Sequence, residues 1–447
     1  MTSLPQRVLA VVAVCMLAAC AAQTQALRAP PLPNTVRSDP SRFVVVTVQN
    51  EPHSVASRPG STPRGYDATG HYGVTSAASA TVRALERDYG LSEVSAWPIM
   101  SLRVHCVVFE VPANGTPEGT MTRLAQDPRV ESVQRLNEFS TQGQSASDSR
   151  YGDYQSLQVS LRTLAVPDAH RWSRGAGVRV AIIDTGVDFE HPDLKERVLA
   201  RQNFVDGDDQ RFREDRHGTE VAGVIAAGAD NNVGIIGVAP EARLVALKAC
   251  WQRPGDGGAR AVCNSFTLAQ ALEAAILARV DIVNMSLAGP ADPLLARLVA
   301  RGMESGILFV GAVAPPGVHG SFPADVKGVF AVEAAEESTG NPRHLLAPGH
   351  EVLTLVPGGH WDFASGSSFA AAEVSGTLAL LVSARPGLTA AEGQRILART
   401  EKRIETDSGV LTSIDACEAV AAVSQRNSCA ALVDSAAGTK SAERVSR

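Results

Sequence analysis

Three residues of this chain could share one piece of chemistry. Asp184 closes the apolar run VRVAII and precedes Thr185-Gly186. His217 opens the small-residue stretch HGTEVAGVIAA, and Ser368 lies in GSSFAAAEVSG. Each alone has an ordinary structural reading: an acid capping a turn, a histidine at a helix end, a serine at a helix N-cap. Together they supply what nucleophilic acyl transfer needs. A serine hydroxyl is a poor nucleophile until a base takes its proton, and a histidine titrating near neutrality can be that base. A carboxylate fixes the imidazole tautomer and stabilises the imidazolium.

Such residues must be held at one edge of a rigid scaffold, and the pattern from Gly175 onward predicts one. Continuous apolar strands are expected at 178–183, 243–248, 280–286, 307–312, 329–332 and 352–356. Helical stretches are expected at 217–227, 267–278, 293–304 and 368–383. This alternation indicates an α/β fold, a doubly wound and mostly parallel sheet covered on both faces. Sites in such sheets lie at the C-terminal ends of strands, where Asp184 stands. Upstream, residues 41–140 read β-α-β-β-α-β: strands at 42–49, 91–97, 102–111 and 130–136, helices at 77–89 and 116–126. That order is the split βαβ arrangement of small ferredoxin-like α+β domains. The polar, Ser-rich and Gln-rich stretch 140–158 reads as a linker, and the boundaries expected are 141–165 for the linker, 166–425 for the larger domain and 426–447 for a polar tail.

The chain has 447 residues, with 41 basic and 47 acidic side chains and a formal charge of −6. This balance speaks against a nucleic-acid-coating protein. With 45% hydrophobic and 20% charged residues the composition is that of a globular chain, not a disordered one. Arg7 precedes an unbroken apolar run of 12 residues, Val8 to Ala19, too short to span a bilayer and suited to a signal peptide over residues 1–19. It ends in Leu17-Ala18-Ala19-Cys20, which resembles the lipobox of bacterial lipoproteins. The resemblance implies lipidation at Cys20, a Pro-rich tether over 20–40, and a place at the bacterial cell envelope, the outer membrane favoured, with the membrane met only through the lipid; the other reading is a cleaved signal with an incidental Cys. Cysteine use agrees with export: Cys250/Cys263 and Cys417/Cys429, 13 and 12 residues apart, are natural local disulfides in an oxidising compartment, with buried free thiols as the other reading. Neither pair carries zinc-ligand spacing, and Cys106 reads as a buried core thiol.

The blocks IIDTGVDFEHPDL, HGTEVAGVIAA and GSSFAAAEVSG resemble the Asp, His and Ser blocks of the subtilases, the subtilisin-like serine proteases of peptidase family S8. The Asp-His-Ser order matches too, which separates this chain from α/β-hydrolases and chymotrypsin-like enzymes. The segments IIGVAPEARLVALK, VDIVNMSLAG and APGHEVLTLVPGG are similar as well. Residues 41–140 resemble the inhibitor-type (I9-like) prodomain of the family, by element order and by DPRVESVQ in the last strand. The resemblance implies a serine endopeptidase acting through an acyl-enzyme and cutting its own precursor. It implies Ser368 as nucleophile, His217 as general base and acid and Asp184 as orienting partner. It further implies Ser286, Leu287 and Ala288 pairing with an extended peptide, and a prodomain that assists folding and blocks the cleft near 137–150. Partners are then protein or peptide substrates and the chain's own prodomain.

The chain also departs from the family. The oxyanion-stabilising Asn that follows the strand at 307–312 is missing from GAVAPPGVHGS. Ala314 is the nearest match, with Val313 or Pro315 as alternatives. Losing one such donor costs on the order of 10²–10³ in turnover. A second reading is therefore a degenerate subtilase that holds peptides as an envelope lipoprotein, and a third is an esterase with the same triad. Phe369, Ala372, Glu373 and Ala288 also replace family residues. No cofactor is expected. Calcium sites are common in the family, but Asp206, Asp208 and Asp209 match no calcium motif and read as a solvated loop.

Overall fold

The structure is a computed structural model that describes residues 33, 36–37, 39–51, 73–145, 154–252, 261–315, 320, 322–406, 409–424 and 428–429. The signal segment, Cys20, nearly all of the tether and nearly all of the tail lie outside the described residues.

The amino-terminal domain is a four-stranded antiparallel sheet with two helices. Strands β1 (Phe43–Gln49), β2 (Ser92–Ile99), β3 (Val104–Glu110) and β4 (Ser132–Arg135) pair in the order β2-β3-β1-β4. Helix α1 (Ser76–Tyr89) starts at Thr75, whose side chain accepts the Ala78 N–H, and stops at Gly90 in the left-handed region. Helix α2 (Pro117–Leu124) uses Thr116 in the same way. The strands are apolar on both faces because both are covered. Val44, Val46 and Val48 of β1 pack under the two helices. Phe43 and Val45 face the other way, into the core shared with the larger domain.

The larger domain is built on seven parallel strands in the order β16-β15-β14-β12-β7-β9-β8. These are β7 (Arg179–Asp184), β8 (Val198–Asn203), β9 (Arg243–Lys248), β12 (Ile282–Met285), β14 (Leu308–Ala312), β15 (Phe330–Ala334) and β16 (Leu345–Ala347). In β7, Val180 and Ile182 join one core and Ala181 and Ile183 the other, so the sheet is buried on both faces. Helices α3 (Arg216–Ala226) and α6 (Ser367–Ala384) cover the first face. Helices α4 (Ser265–Leu277) and α5 (Pro293–Glu304) cover the second, and the amino-terminal sheet docks on them. The fold is therefore a doubly wound α/β domain with a small α+β domain before it.

The seam between the domains is specific. Trp97 of β2 sets its ring edge-on to Phe266 of α4 at 4.6 Å. Glu273 of α4 accepts the Ser101 backbone N–H at 3.0 Å and the Ser101 hydroxyl. Arg297 pairs with Glu131 at 2.6 Å, and Asn137 donates to Asp292 at 3.0 Å. Cys106 is a fully buried free thiol on this face.

Two readings shift. The strand expected at 352–356 exists as β17 (Val352–Val356) but pairs antiparallel with β18 (His360–Ser365) outside the parallel sheet. The linker expected over 141–165 is partly built structure: 141–145 run as extended backbone against the larger domain, and short helices occupy 154–157 and 159–163. Polar side chains hid these strands, because their partners bind the backbone.

Helix α6 is apolar all round and has 83% of its length buried, which is how its one carboxyl, Glu373, comes to be fully buried. Burial pushes that carboxyl well above the usual carboxylate range; the neighbouring Ser160 side chain opposes this and the nearby Glu336 charge adds to it. Between the unfolded value near 4.5 and the raised folded value, the native state holds a proton that the unfolded chain has lost. Stability must therefore fall as pH rises through that window, by about 1.4 kcal/mol per pH unit for one proton. Glu373→Gln, made in a Ser368→Ala chain that stays whole, is expected to remove this slope; urea midpoints from pH 5 to pH 9 check it, and an unchanged slope would count against a buried neutral carboxyl.

Candidate active site

Asp184 is the last residue of β7, His217 the second of α3 and Ser368 the second of α6. The doubly wound order brings all three to one edge of the sheet. His217 Nδ1 lies 2.8 and 2.9 Å from the two carboxylate oxygens of Asp184. Asp184 Oδ1 also accepts the Thr185 N–H at 2.7 Å, and the Thr185 hydroxyl accepts the Gly218 N–H at 3.0 Å. These bonds tie the start of α3 to the end of β7. Gly218 permits the approach, since a Cβ there would sit 2.0 Å from the Gly186 carbonyl oxygen. Burial pushes the His217 imidazole down; the charge and hydrogen bonds of Asp184 outweigh it, and the net position is above the ordinary histidine value.

Ser368 is fully buried. Its hydroxyl donates to the Ser286 carbonyl at 3.0 Å. Among the described residues His217 Nε2 has no hydrogen-bond partner. A polar chain fixes the start of α6 from below: Ser375 donates to Asn284 at 2.8 Å, Asn284 to the Ser286 hydroxyl at 2.9 Å, and Ser286 to the Ser368 carbonyl at 2.9 Å. Sequence reasoning missed Asn284 and Ser375; the Asn inside the otherwise apolar strand VDIVNM was the available signal.

The space beside these residues is filled by the chain itself. Strand β5 (Glu138–Thr141) lies antiparallel between β11 (Ala261–Asn264) and β13 (Leu287–Ala288). Thr141 stands opposite Leu287, and Ser140 opposite Ala288 and Val262. Strand β6 (Gln144–Ser145) continues against β18. Between them the Gln142 N–H reaches Ser368 Oγ at 3.1 Å and the Ser286 carbonyl at 3.3 Å. The Gln142 carbonyl accepts the Ser368 N–H at 2.9 Å, its one hydrogen bond among the described residues. Gln142 and Gly143 were not singled out in the sequence, beyond the expectation that the domain's tail blocks the cleft.

Residues 175–422 match the Subtilase family, peptidase S8. The chain belongs to the subtilase family. It is 37% identical over 240 residues to an intracellular serine protease of Paenibacillus polymyxa, covering 49% of this chain and 71% of that protein. It is 36% identical over 253 residues to the major intracellular serine protease of Bacillus subtilis, covering 52% and 76%. Subtilisin E of Bacillus subtilis is 34% identical over 254 residues, with 53% and 64% covered. In fold it resembles fervidolysin from Fervidobacterium pennivorans, a keratinolytic enzyme related to subtilisin, with a TM-score of 0.65 at 19% identity; the match covers 86% of this chain and 60% of that one.

The remaining predicted residues of this subtilase fall as follows. Disulfides join Cys250 to Cys263 and Cys417 to Cys429. The first staples β10 (Cys250–Gln252) to β11, the strand that flanks β5. Ala314 follows β14 and is half-buried; residues 316–319 and 321 of its loop lie outside the described residues. Asp206 pairs with Arg37 and Arg211, and Asp208 caps the short helix 209–214. Among the described residues no cluster of three or more His, Cys, Asp or Glu side chains suits a metal. His191 Nε2 donates to the His360 carbonyl, 3.0 Å away, and Asp193 accepts from Asn231, Ile235 and Trp361. Both are structural.

Proposed function

We propose that this subtilase is a serine endopeptidase that first cuts its own chain between Gln142 and Gly143, releasing the amino-terminal domain as a prodomain, and then cuts other extended chains. The observation that carries this is the Gln142 carbonyl, held by the Ser368 N–H with the Ser368 hydroxyl on the adjoining N–H.

The steps follow from the residues present. A rotation about the Ser368 Cα–Cβ bond moves the hydroxyl from the Ser286 carbonyl to His217 Nε2. Ser368 Oγ attacks the Gln142 carbonyl carbon as Nε2 takes its proton. The oxyanion forms on the Gln142 oxygen against the Ser368 N–H, at the start of α6 where the helix dipole favours negative charge. His217 returns the proton to the Gly143 nitrogen, and the bond to Gly143 breaks. Water then hydrolyses the acyl-enzyme by the same route. An attached substrate is present at high effective concentration, so the first cut survives a weakened oxyanion site.

The test is a fluorophosphonate label on Ser368 together with the intact mass of the full chain over time. The expected product begins at Gly143; a chain that neither labels nor splits would sink the proposal. If the missing Asn limits the rate, Ala314→Asn is expected to speed cleavage by on the order of 10²–10³. Single-turnover rates decide that, and an unchanged rate means position 314 does not face the oxyanion. The leader ending at Cys20 supports an envelope lipoprotein, for which the mass of the mature amino terminus from expressing cells, with and without Cys20→Ser, is the measurement.

A further inference from the structure

We propose that Phe369, the residue after the nucleophile, admits only glycine on the leaving-group side of the cut bond, so that this enzyme cleaves extended chains ahead of a glycine. The inference rests on the reading that Gln142–Gly143 is the bond cut.

Gly143 does not owe its identity to backbone conformation, because it is not among the positive-φ glycines. Space decides instead. A Cβ on Gly143 would lie 2.9 Å from Phe369 Cε2, 3.2 Å from Phe369 Cζ and 3.1 Å from His217 Nε2. The first distance is shorter than carbon atoms tolerate, so one partner would have to move.

Neither partner is free to do so. Phe369 is fully buried in the core of the first sheet face, beside residues of α3 and α6. Interiors are close-packed, so withdrawing the ring disturbs its neighbours. His217 is held through Nδ1 by both oxygens of Asp184, and its ring leans on Phe369 with centroids 5.9 Å apart. The strand cannot step away either. Gly366, with φ of +134°, also crowds it: a Cβ there would come within 2.5 Å of the Gln142 carbonyl oxygen and 2.9 Å of Gly143 Cα. Gly143 therefore runs in close contact with Phe369, His217 and Gly366, with no space for a Cβ.

The consequence is a substrate class. A side chain after the cut bond pushes either against the aromatic ring or against the nitrogen that must collect the serine proton. An ångström of displacement there costs on the order of 10²-fold in rate.

The test uses the full chain and two readouts. In the first, intact mass gives the rate of cleavage after Gln142. Gly143→Ala is expected to slow it on the order of 10²-fold. Phe369→Met, whose flexible end can withdraw, is expected to bring the Gly143→Ala rate back toward that of Gly143 in the same Phe369→Met chain. The second readout needs no turnover. In a Ser368→Ala chain, Gly143→Ala is expected to speed amide hydrogen exchange over 140–145, and Phe369→Met to restore protection. If Gly143→Ala is cut as fast as the parent, or exchange over 140–145 does not change, Phe369 is no gate and the inference falls. If the parent chain is never cut, the function proposed above fails while the exchange result still decides the gate.

Discussion

Ser368→Ala is expected to leave the chain at its starting mass under conditions in which the unsubstituted chain divides after Gln142. Loss of the nucleophile from a Ser-His-Asp set lowers turnover on the order of 10⁶-fold. The comparison is sharp because the substitution disturbs little else. The Ser368 hydroxyl donates to the Ser286 carbonyl and accepts from Gln142, but α6 is anchored by separate bonds from Ser286 to the Ser368 carbonyl and from Ser375 to Asn284. The Ser368 N–H still meets the Gln142 carbonyl, so the substituted chain keeps its tail in the cleft and reports on chemistry alone. Cleavage of both chains at equal rates would mean that an outside protease cuts the segment. Cleavage of neither would mean that the cleft holds a peptide it does not turn over.

Asp184→Asn is expected to slow the same cut on the order of 10⁴-fold while the fold persists. The carboxylate accepts the His217 Nδ1 proton, which leaves the lone pair on Nε2 facing the nucleophile. An amide at this position can present its NH₂ to Nδ1 and stabilise the opposite tautomer. The substitution also has a signature in pH. A base works only when neutral, so the rate rises with pH through the His217 titration. With Asp184 present, its charge and hydrogen bonds outweigh burial and hold that titration above the ordinary histidine value. Without the charge, burial dominates and the acid limb moves to lower pH. A pH profile of single-turnover cleavage shows both effects. A slower enzyme with an unmoved acid limb would mean that Asp184 positions the ring without controlling its charge.

The three sequence blocks were legible because each ties its Asp, His or Ser to an element boundary. Asp184 ends an apolar strand, while His217 and Ser368 open small-residue helices that pack only where a glycine or alanine lets backbones meet. The parallel strands β7, β9, β12, β14 and β15 were legible for a related reason: buried on both faces, they read as continuous apolar runs. Strand β8, with the sequence VLARQN and no buried side chain, gave no such signal. Strand β18, HWDFAS, was hidden by its mixed pattern. The segment 138–145 was the largest omission. Its neighbours hold N–H and C=O groups that every residue carries, so Ser and Gln side chains suggested a linker where the backbone was forming strands. Only Phe139 hinted otherwise: it lies edge-on to Phe322 at 5.6 Å and occupies space left by Gly289.

The pairing of residues 138–145 with β11, β13 and β18 has a further meaning for which proteins are at risk. At roughly 3.3 Å per residue those eight residues draw out about 26 Å of straight chain. Under the proposed cleavage and release, three strand margins are left with hydrogen-bonding groups facing water, open to another extended chain. Few native proteins can lend that length without first melting locally, and the free energy of that opening differs widely between a frayed terminus and a core. On the proposed function such a cleft is expected to take chains by the length they can leave slack, so a protein with a longer loose stretch is cut before a well-folded one.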